Sequence, residues 1–204
     1  MSYIIVGLGN PGEEYENTRH NTGRIVLKKV ASSFQLSAFS LDKKLNALKA
    51  EGKIGKQKVT LLMPEGMMNN SGKSLKSLII SAKKAEELVV IHDDIDLPIG
   101  RFKICFDRGS GGHRGVESII KNLKTQKFAR IKVGVSPPLR QGSAGQAAKA
   151  KKPKDEAGII KLILGKFKDP ELAVLKKEAK KIAEALEVVV TESREKAMTL
   201  FNSN

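Results

Sequence analysis

The chain has 204 residues, of which 40% are hydrophobic, and this is enough for one sizeable core or at most two small ones. Its 37 Lys and Arg residues against 22 Asp and Glu residues give a formal charge of +15, which indicates a polyanionic partner such as nucleic acid, or an anionic membrane surface. One cysteine excludes an internal disulfide, and no apolar stretch is long enough to span a bilayer. The sequence begins with a predicted strand, so we expect no signal peptide and a soluble cytoplasmic protein without a membrane partner.

The first predicted element is a short buried strand over residues 4–8, followed by a turn rich in Gly, Asn and Pro. The turn places Asn10, Tyr15 and His20 on irregular backbone, where side chains can face a ligand. Glycines at 7, 9 and 12 match a dinucleotide-binding fingerprint, but the sequence after Gly12 does not predict a helix and no acidic residue follows at the required distance. We therefore expect these glycines to allow a close backbone approach or a positive φ.

The next predicted elements are a helix over 23–34, a hairpin of strands 47–54 and 58–63, and a helix over 74–84. Met68 and Asn69 fall in the predicted loop before that second helix. A buried strand over 88–91 then ends in His92-Asp93-Asp94. Polar groups at the carboxyl end of a buried strand are typical of ligand sites in open α/β sheets.

The second half of the chain alternates strands and helices in the same way. Strands are predicted over 101–106 and 130–135, with a glycine-rich segment and a helix over 116–123 between them. Residues 136–158 have little to bury and predict a long mobile basic loop or lid. A last helix is predicted to start with Asp169 as N-cap and Pro170 at its first position. The order predicts a mixed α/β protein with one domain over 1–204.

Positive charge is concentrated in the middle of the chain. Residues 101–154 contain 14 basic residues and two acidic ones, and so carry 12 of the 15 net positive charges. A merely solvated surface mixes its signs. A phosphate backbone is therefore the favoured partner of this segment.

Several chemistries can be set aside from the residue types alone. Zinc requires ligand spacings that are absent, and a magnesium site on Asp93, Asp94 and Asp96 is a minor alternative, so we predict no metal site. No nucleophile elbow is present and Cys105 lies in a predicted strand without a base, which leaves water as the attacking group. A histidine oriented by a carboxylate can activate water, and His20 with Asp93 fits those two roles.

Two asparagines complete the candidate site. The amides of Asn10 and Asn69 have donor and acceptor faces, so they can bind a peptide backbone and stabilise an oxyanion. Taken singly, the asparagines, His20 and Asp93 also fit roles in turns and caps. Their joint occurrence in three separate loops favours a functional site.

Four long motifs resemble those of the bacterial-type peptidyl-tRNA hydrolase family, in the family's order and over nearly the whole chain. They are Ile-Val-Gly-Leu-Gly-Asn-Pro-Gly from residue 5 with Tyr15 and Thr-Arg-His-Asn from residue 18, Met-Asn-Asn-Ser-Gly from residue 68, His-Asp-Asp-Ile-Asp-Leu-Pro from residue 92, and Gly-Gly-His from residue 111.

The resemblance implies a single α/β domain with a twisted mixed β-sheet flanked by helices, monomeric and without a cofactor. It implies hydrolysis of the ester between peptide and tRNA, with water activated by His20, supported by Asp93, and with the peptide held by Asn10 and Asn69. By the same resemblance five further residues contact the substrate or the tRNA. They are Tyr15, Met67, His113, Lys103 and Lys132.

Three departures from the family pattern concern substrate binding. Arg114 stands where the family has asparagine after Gly-Gly-His, and a guanidinium cannot accept a hydrogen bond. Met67 occupies a position that is usually aromatic, and the segment 136–158 is longer than is typical. We interpret Arg114 and the lysines of this segment as added phosphate contacts.

The alternative function is a non-catalytic basic RNA-binding module, which the charge also fits. The chain has two Tyr, seven Phe and no Trp, and no run of residues has the aromatic pattern of a base-stacking sheet. A nucleotide-dependent enzyme is a third option, which the incomplete glycine fingerprint disfavours.

Overall fold

One mixed β-sheet of seven strands runs through the protein, in the order β2-β3-β4-β1-β5-β7-β6. The structure is a computed structural model that describes residues 2–137, 152–153 and 155–202. The central strands β4, β1, β5 and β7 are parallel, whereas β2, β3 and β6 pair antiparallel at the two edges. The strands are β1 (Ser2–Gly7), β2 (Ser40–Asp42), β3 (Ala47–Ile54), β4 (Gln57–Pro64), β5 (Leu88–Pro98), β6 (Phe102–Phe106) and β7 (Ala129–Ser136).

Helices cover both faces of the sheet and bury a hydrophobic core on each side. Helices α1, α5 and α6 contribute to the core on one face, and α2, α3 and a 3₁₀ helix over Met68–Leu75 to the core on the other. No described helix has the length and apolar character needed to cross a bilayer. The helices are α1 (Thr22–Ser33), α2 (Ala82–Ala85), α3 (Arg114–Leu123), α4 (Glu156–Leu164), α5 (Asp169–Thr191) and α6 (Arg194–Phe201), with further 3₁₀ helices over Glu13–Tyr15 and Arg19–Asn21.

The predicted fold class, a mixed sheet flanked by helices, is confirmed, and so is the hairpin of β3 and β4. The predicted helix over 74–84 is wrong. The chain forms the 3₁₀ helix Met68–Leu75 instead, and Ser81 caps the separate helix α2 by accepting a hydrogen bond from the Lys84 N–H. Leu75 and Ile79 are both buried. Their spacing of four residues is typical of a helix, but here both side chains reach the core from a turn.

Strand β5 is longer than predicted. The expected strand ended at Ile91, but pairing with β7 continues through His92, Asp93 and Asp94 before the register shifts. Polar side chains therefore sit on regular strand backbone, which fixes their direction more firmly than a loop would.

The C-terminal third also differs from the prediction. The central part of the proposed lid over 136–158 lies outside the described residues, and its last residues belong to α4, whose N-cap Asp155 accepts a hydrogen bond from the Gly158 N–H. The N-cap of α5 is Lys168, one residue before the predicted Asp169, because the Glu171 carboxylate accepts from the Lys168 N–H. Strand β2 and helix α6 were not predicted.

The early glycines are explained by packing between β1 and α1. A Cβ on Gly7 would lie 2.4 Å from the carbonyl oxygen of Gly23, and a Cβ on Gly23 would lie 2.3 Å from the carbonyl oxygen of Ile91. Gly12 has φ of 106°, a conformation that favours glycine. Both expected reasons, close approach and positive φ, are therefore found in this segment.

Replacing Gly23 by alanine should destabilise the protein and displace the start of α1. The added methyl group meets three backbone atoms within 2.6 Å, so strand or helix must move, at a cost of about 1–3 kcal/mol that exceeds alanine's better helix propensity. Urea unfolding measures the change. Gly109→Ala is the control, because nothing lies within 4 Å of its Cβ position. Equal stability of the two variants would contradict this account.

Candidate active site

A cavity of about 800 Å³ opens at the carboxyl edge of the parallel strands. The loop after β1 supplies Asn10, the segment after β4 supplies Met67 to Asn69, and β5 supplies Asp93. In open α/β sheets this edge is where ligands bind, because the loops that leave neighbouring strands converge there.

His20 and Asp93 form a buried pair at the floor of this cavity. The Nδ1 atom of His20 lies 3.0 Å and 3.1 Å from the two carboxylate oxygens of Asp93. Along β5, Asp93 continues the face on which Val89 and Ile91 pack beneath α1, and His20 lies in the 3₁₀ helix that leads into α1. Strand alternation and the approach of α1 thus bring together residues 73 positions apart.

His113 makes a second contact with the same carboxylate. Its Nε2 lies 2.9 Å from Oδ1 of Asp93, while its Nδ1 accepts hydrogen bonds from the backbone N–H groups of Gly115 and Val116 as the N-cap of α3. Because Nδ1 accepts, the proton of a neutral His113 is on Nε2, which donates to Asp93.

The charges of this cluster depend on one another. Burial raises the pKa of Asp93, but its contacts with His20 and His113 outweigh burial and hold the pKa far below its ordinary value. Asp93 is thus an ionised acceptor, and Nδ1 of His20 must carry the hydrogen between them. Burial lowers the pKa of His20, but the charge and hydrogen bond of Asp93 outweigh burial and raise it above 6.5.

Neutral His20 therefore has its lone pair on Nε2. None of the described residues forms a hydrogen bond with this atom, and His20 lines the cavity. Such an atom can accept a proton from water.

His92 contacts both Asp93 and His113. Its Nδ1 donates to the backbone carbonyl of Asp93 at 2.7 Å, and its ring packs edge-on against His113 with centroids 4.7 Å apart. Burial holds the pKa of His92 well below its ordinary value, so this residue stays neutral.

Asn10 is held on three sides by hydrogen bonds. Its backbone N–H donates to Oδ1 of Asn21 at 2.8 Å, and Nδ2 of Asn21 donates to its carbonyl at 2.9 Å. Its own Oδ1 accepts from the Met68 N–H at 2.8 Å. The side-chain oxygen is therefore occupied, and the Nδ2 amide group is the one that can donate to a ligand.

The rim of the cavity near β5 and β7 is charged. Lys132 pairs with Asp94, Lys152 pairs with Asp96, and the largely exposed Arg114 lies 3.4 Å from Glu156. Of the three carboxylates of the magnesium alternative, Asp94 and Asp96 are thus paired with lysines, and Asp93 is bonded by two histidines.

One described group of side chains has the make-up of a metal site. The ligand atoms of His20, Asp93 and His113 all lie within 4.8 Å of one another. Two nitrogens of this group instead form hydrogen bonds with the carboxylate, and the backbone of α3 occupies the other nitrogen of His113. Hydrogen bonding accounts for the arrangement of these three side chains.

Most of the predicted site residues lie around one cavity, and two do not. Tyr15 lies in the 3₁₀ helix Glu13–Tyr15 and Lys103 is exposed on β6, and neither lines the cavity. The predicted residues that line it are Asn10, His20, Met67, Asn69, Asp93, His113, Arg114 and Lys132.

Three residues with structural roles in the site had no predicted role. Asn21 fixes the Asn10 loop, His92 supports Asp93, and Arg19 ties the His20 segment to the rest of the protein. Arg19 and Asn21 flank His20 in the chain, and His92 precedes Asp93. Their position next to a candidate residue is the sequence feature from which these three residues could have been predicted.

A histidine–aspartate pair with buried asparagines at the carboxyl edge of the central parallel strands has the composition of a hydrolase site. The family model for peptidyl-tRNA hydrolase matches residues 4–204. The chain therefore belongs to the peptidyl-tRNA hydrolase family.

Individual relatives agree with this assignment. Peptidyl-tRNA hydrolases of Clostridium botulinum and Prochlorococcus marinus are 36% and 38% identical to the chain, with 98% of this chain covered and 95% and 94% of the relative. The crystal structure of the Acinetobacter baumannii peptidyl-tRNA hydrolase superposes with a TM-score of 0.84 at 26% identity, covering 98% of this chain and 94% of that one.

Asp93→Asn should lower the pKa of His20 to below 6.5. The substitution removes the negative charge that raises this pKa and leaves burial, which lowers it. NMR titration of the His20 ring resonances measures the shift. Asp96→Asn is the matched control, because Asp96 is exposed and pairs with Lys152. An unchanged His20 titration in Asp93→Asn would show that the pair does not set this pKa.

Proposed function

We propose that His20 is the general base with which this peptidyl-tRNA hydrolase, a carboxylic ester hydrolase, activates water. The observation that supports the proposal is the buried contact of His20 Nδ1 with the Asp93 carboxylate, which leaves Nε2 without a hydrogen bond to any described residue, in a side chain that lines the cavity. A base whose pKa is raised by a neighbouring carboxylate and whose lone pair is free can take a proton from water in the attack.

In the proposed reaction, water attacks the ester carbonyl between the peptide and the terminal ribose of tRNA. The proton of the water passes to Nε2 of His20, and Asp93 stabilises the resulting imidazolium. Collapse of the tetrahedral intermediate breaks the ester C–O bond, and the imidazolium returns its proton to the leaving ribose oxygen. The products are a peptide with a free carboxyl group and tRNA.

Asn10 is proposed to donate from Nδ2 to the oxygen that becomes negative in this intermediate. The hydrogen bonds that fix its loop support this role, since a donor held before the reaction needs no reorganisation during it. Asn69 and Met67, both exposed at the cavity, are proposed to hold the peptide next to the ester. Tyr15 is proposed to contact the substrate from the edge of the site.

The tRNA is proposed to bind on the side of β6 and β7. Lys103 and Lys132 are neighbours across the pairing of these strands, and Lys132, Arg114 and His113 line the adjoining part of the cavity. Arg114 is largely exposed, which suits a phosphate contact better than a buried hydrogen bond to substrate.

Some further expectations from the sequence and the resemblance belong to the same proposal. They are a single-domain monomer that works in the cytoplasm without a cofactor or an obligate protein partner, and a basic loop or lid that starts at about residue 136 and ends where α4 begins. A non-catalytic RNA-binding role is not retained, because the family is one of hydrolases.

His20→Ala should lower kcat on an N-acetylaminoacyl-tRNA by about 10²–10⁴-fold, since general-base catalysis contributes about that much. In the wild type, kcat/KM should fall as pH drops through the pKa of His20, which lies above 6.5, because only neutral His20 can accept the proton. Ester release is measured across pH 5.5–9. Added imidazole should restore part of the activity of the variant, whereas undiminished turnover in His20→Ala would exclude the proposed base.

Lys103→Ala should weaken tRNA binding and make it less sensitive to salt. Each neutralised phosphate contributes about −0.7 to −0.9 to the slope of log affinity against log salt, so losing one contact should flatten the slope by about that amount. Fluorescence titration with deacylated tRNA at several salt concentrations measures it. Lys53→Ala, an exposed lysine on β3, is the control. Identical slopes for the two variants would remove β6 from the tRNA interface.

A further inference from the structure

A second groove meets the active-site cavity at Asn10, which lines both. The groove has a volume of about 1010 Å³ and lies between α1 and the first half of α5. Its lining is strongly basic, with two acidic residues, Glu13 and Glu16, against six basic ones. The basic residues are Arg24, Lys28 and Lys29 from α1 and Lys176, Lys177 and Lys180 from α5.

Two of these six cations form ion pairs with described residues. Arg24 pairs with Glu65 at 2.6 Å, and Lys28 lies 3.9 Å from Glu16. The remaining four have no ion-pair partner among the residues that the structure describes. They are Lys29, Lys176, Lys177 and Lys180. A groove with several uncompensated ammonium groups attracts an anionic ligand.

The three lysines of α5 share one side of the helix. Residues spaced three and four apart lie on the same face, as 176, 177 and 180 do, while Leu175, Ala179 and Ile182 turn into the core. The lysine face of α5 therefore meets the lysine face of α1 across the groove.

We propose that this groove receives the peptide part of the substrate and favours peptides with acidic side chains upstream of the ester. The proposal rests on the proposed function, in which Asn10 binds next to the ester carbonyl. Lys103 and Lys132 lie on β6 and β7, at one end of the sheet, whereas Asn10 follows β1, with β5 between. A substrate whose tRNA lies at β6 and β7 thus directs its peptide past Asn10 into the groove.

The shape of the groove fits a peptide better than an RNA stem. Helices α1 and α5 pack against each other, and the axes of packed helices lie only about 8–10 Å apart. An extended peptide can lie along such a furrow, and each carboxylate side chain can reach a lysine. A duplex is too wide to lie within such a furrow, so an RNA strand inside it would have to be single-stranded.

The test compares two substrates that differ only in upstream charge. One tRNA carries an N-acetylated tetrapeptide with two glutamates before the C-terminal residue, and the other carries glutamines at the same positions. The groove variant is Lys176→Gln/Lys177→Gln/Lys180→Gln. The control variant is Lys53→Gln/Lys56→Gln/Lys58→Gln, which removes the same charge from exposed positions at the opposite end of β4.

In the wild type the glutamate substrate should show a KM about three- to tenfold lower at low salt, because exposed ion pairs are individually weak and are screened by salt. The ratio of the glutamine-substrate KM to the glutamate-substrate KM should fall to about one in the groove variant and stay unchanged in the control variant. Both variants should have a Tm within a few degrees of wild type. The KM on N-acetylaminoacyl-tRNA, which has no upstream residues, gives the reference.

Two results would overturn the proposal. One is an equal KM for the two substrates in the wild type. The other is a groove variant that loses affinity for deacylated tRNA and raises the KM of both substrates alike, which would assign the groove to single-stranded RNA. Failure of the proposed mechanism is distinguishable, since it would show as undiminished turnover by His20→Ala on N-acetylaminoacyl-tRNA.

Discussion

The negative charge of Asp93 is the constraint on which the rest of the site depends. A carboxylate removed from water is costly unless it is hydrogen-bonded, and this one is held by His20 from the segment before α1 and by His113 from the cap of α3. These segments pack on opposite faces of the sheet. A single buried charge at the end of β5 thus joins both layers of the protein and sets the tautomers of both histidines.

Much of the fold could be predicted because its signals are local. The two strands of the hairpin flank a short turn that begins with a glycine, and α1 and α5 have apolar residues at helical spacing. The segment 74–84 failed for an instructive reason. Its apolar residues also recur at helical spacing. The fold requires only that these side chains reach the core, and a 3₁₀ helix followed by the short, serine-capped α2 places them there as well as one long helix would.

The geometry of the candidate site was harder to predict from the sequence. Residue types and the family resemblance selected His20, Asp93 and Asn10, yet the direction of each hydrogen bond depends on tertiary contacts that no local pattern encodes. That Oδ1 of Asn10 is occupied by the Met68 N–H, for instance, requires the loops after β1 and β4 to meet. The groove between α1 and α5 could not be foreseen for the same reason, because its lysines come from helices about 150 residues apart.

Arg19 links the segment that carries His20 to β7 and α5, which lie 116 and 152 residues further along the chain. Its buried guanidinium bonds the carbonyl of Val135 at 3.0 Å and the carboxylate of Glu171, at the start of α5, at 2.8 Å. Its backbone N–H donates to the carbonyl of Gly165. Without Glu171, Arg19 keeps its bond to the Val135 carbonyl but lacks its ion-pair partner. The position of His20 therefore depends on contacts that can form only once the chain has been synthesised at least as far as Glu171.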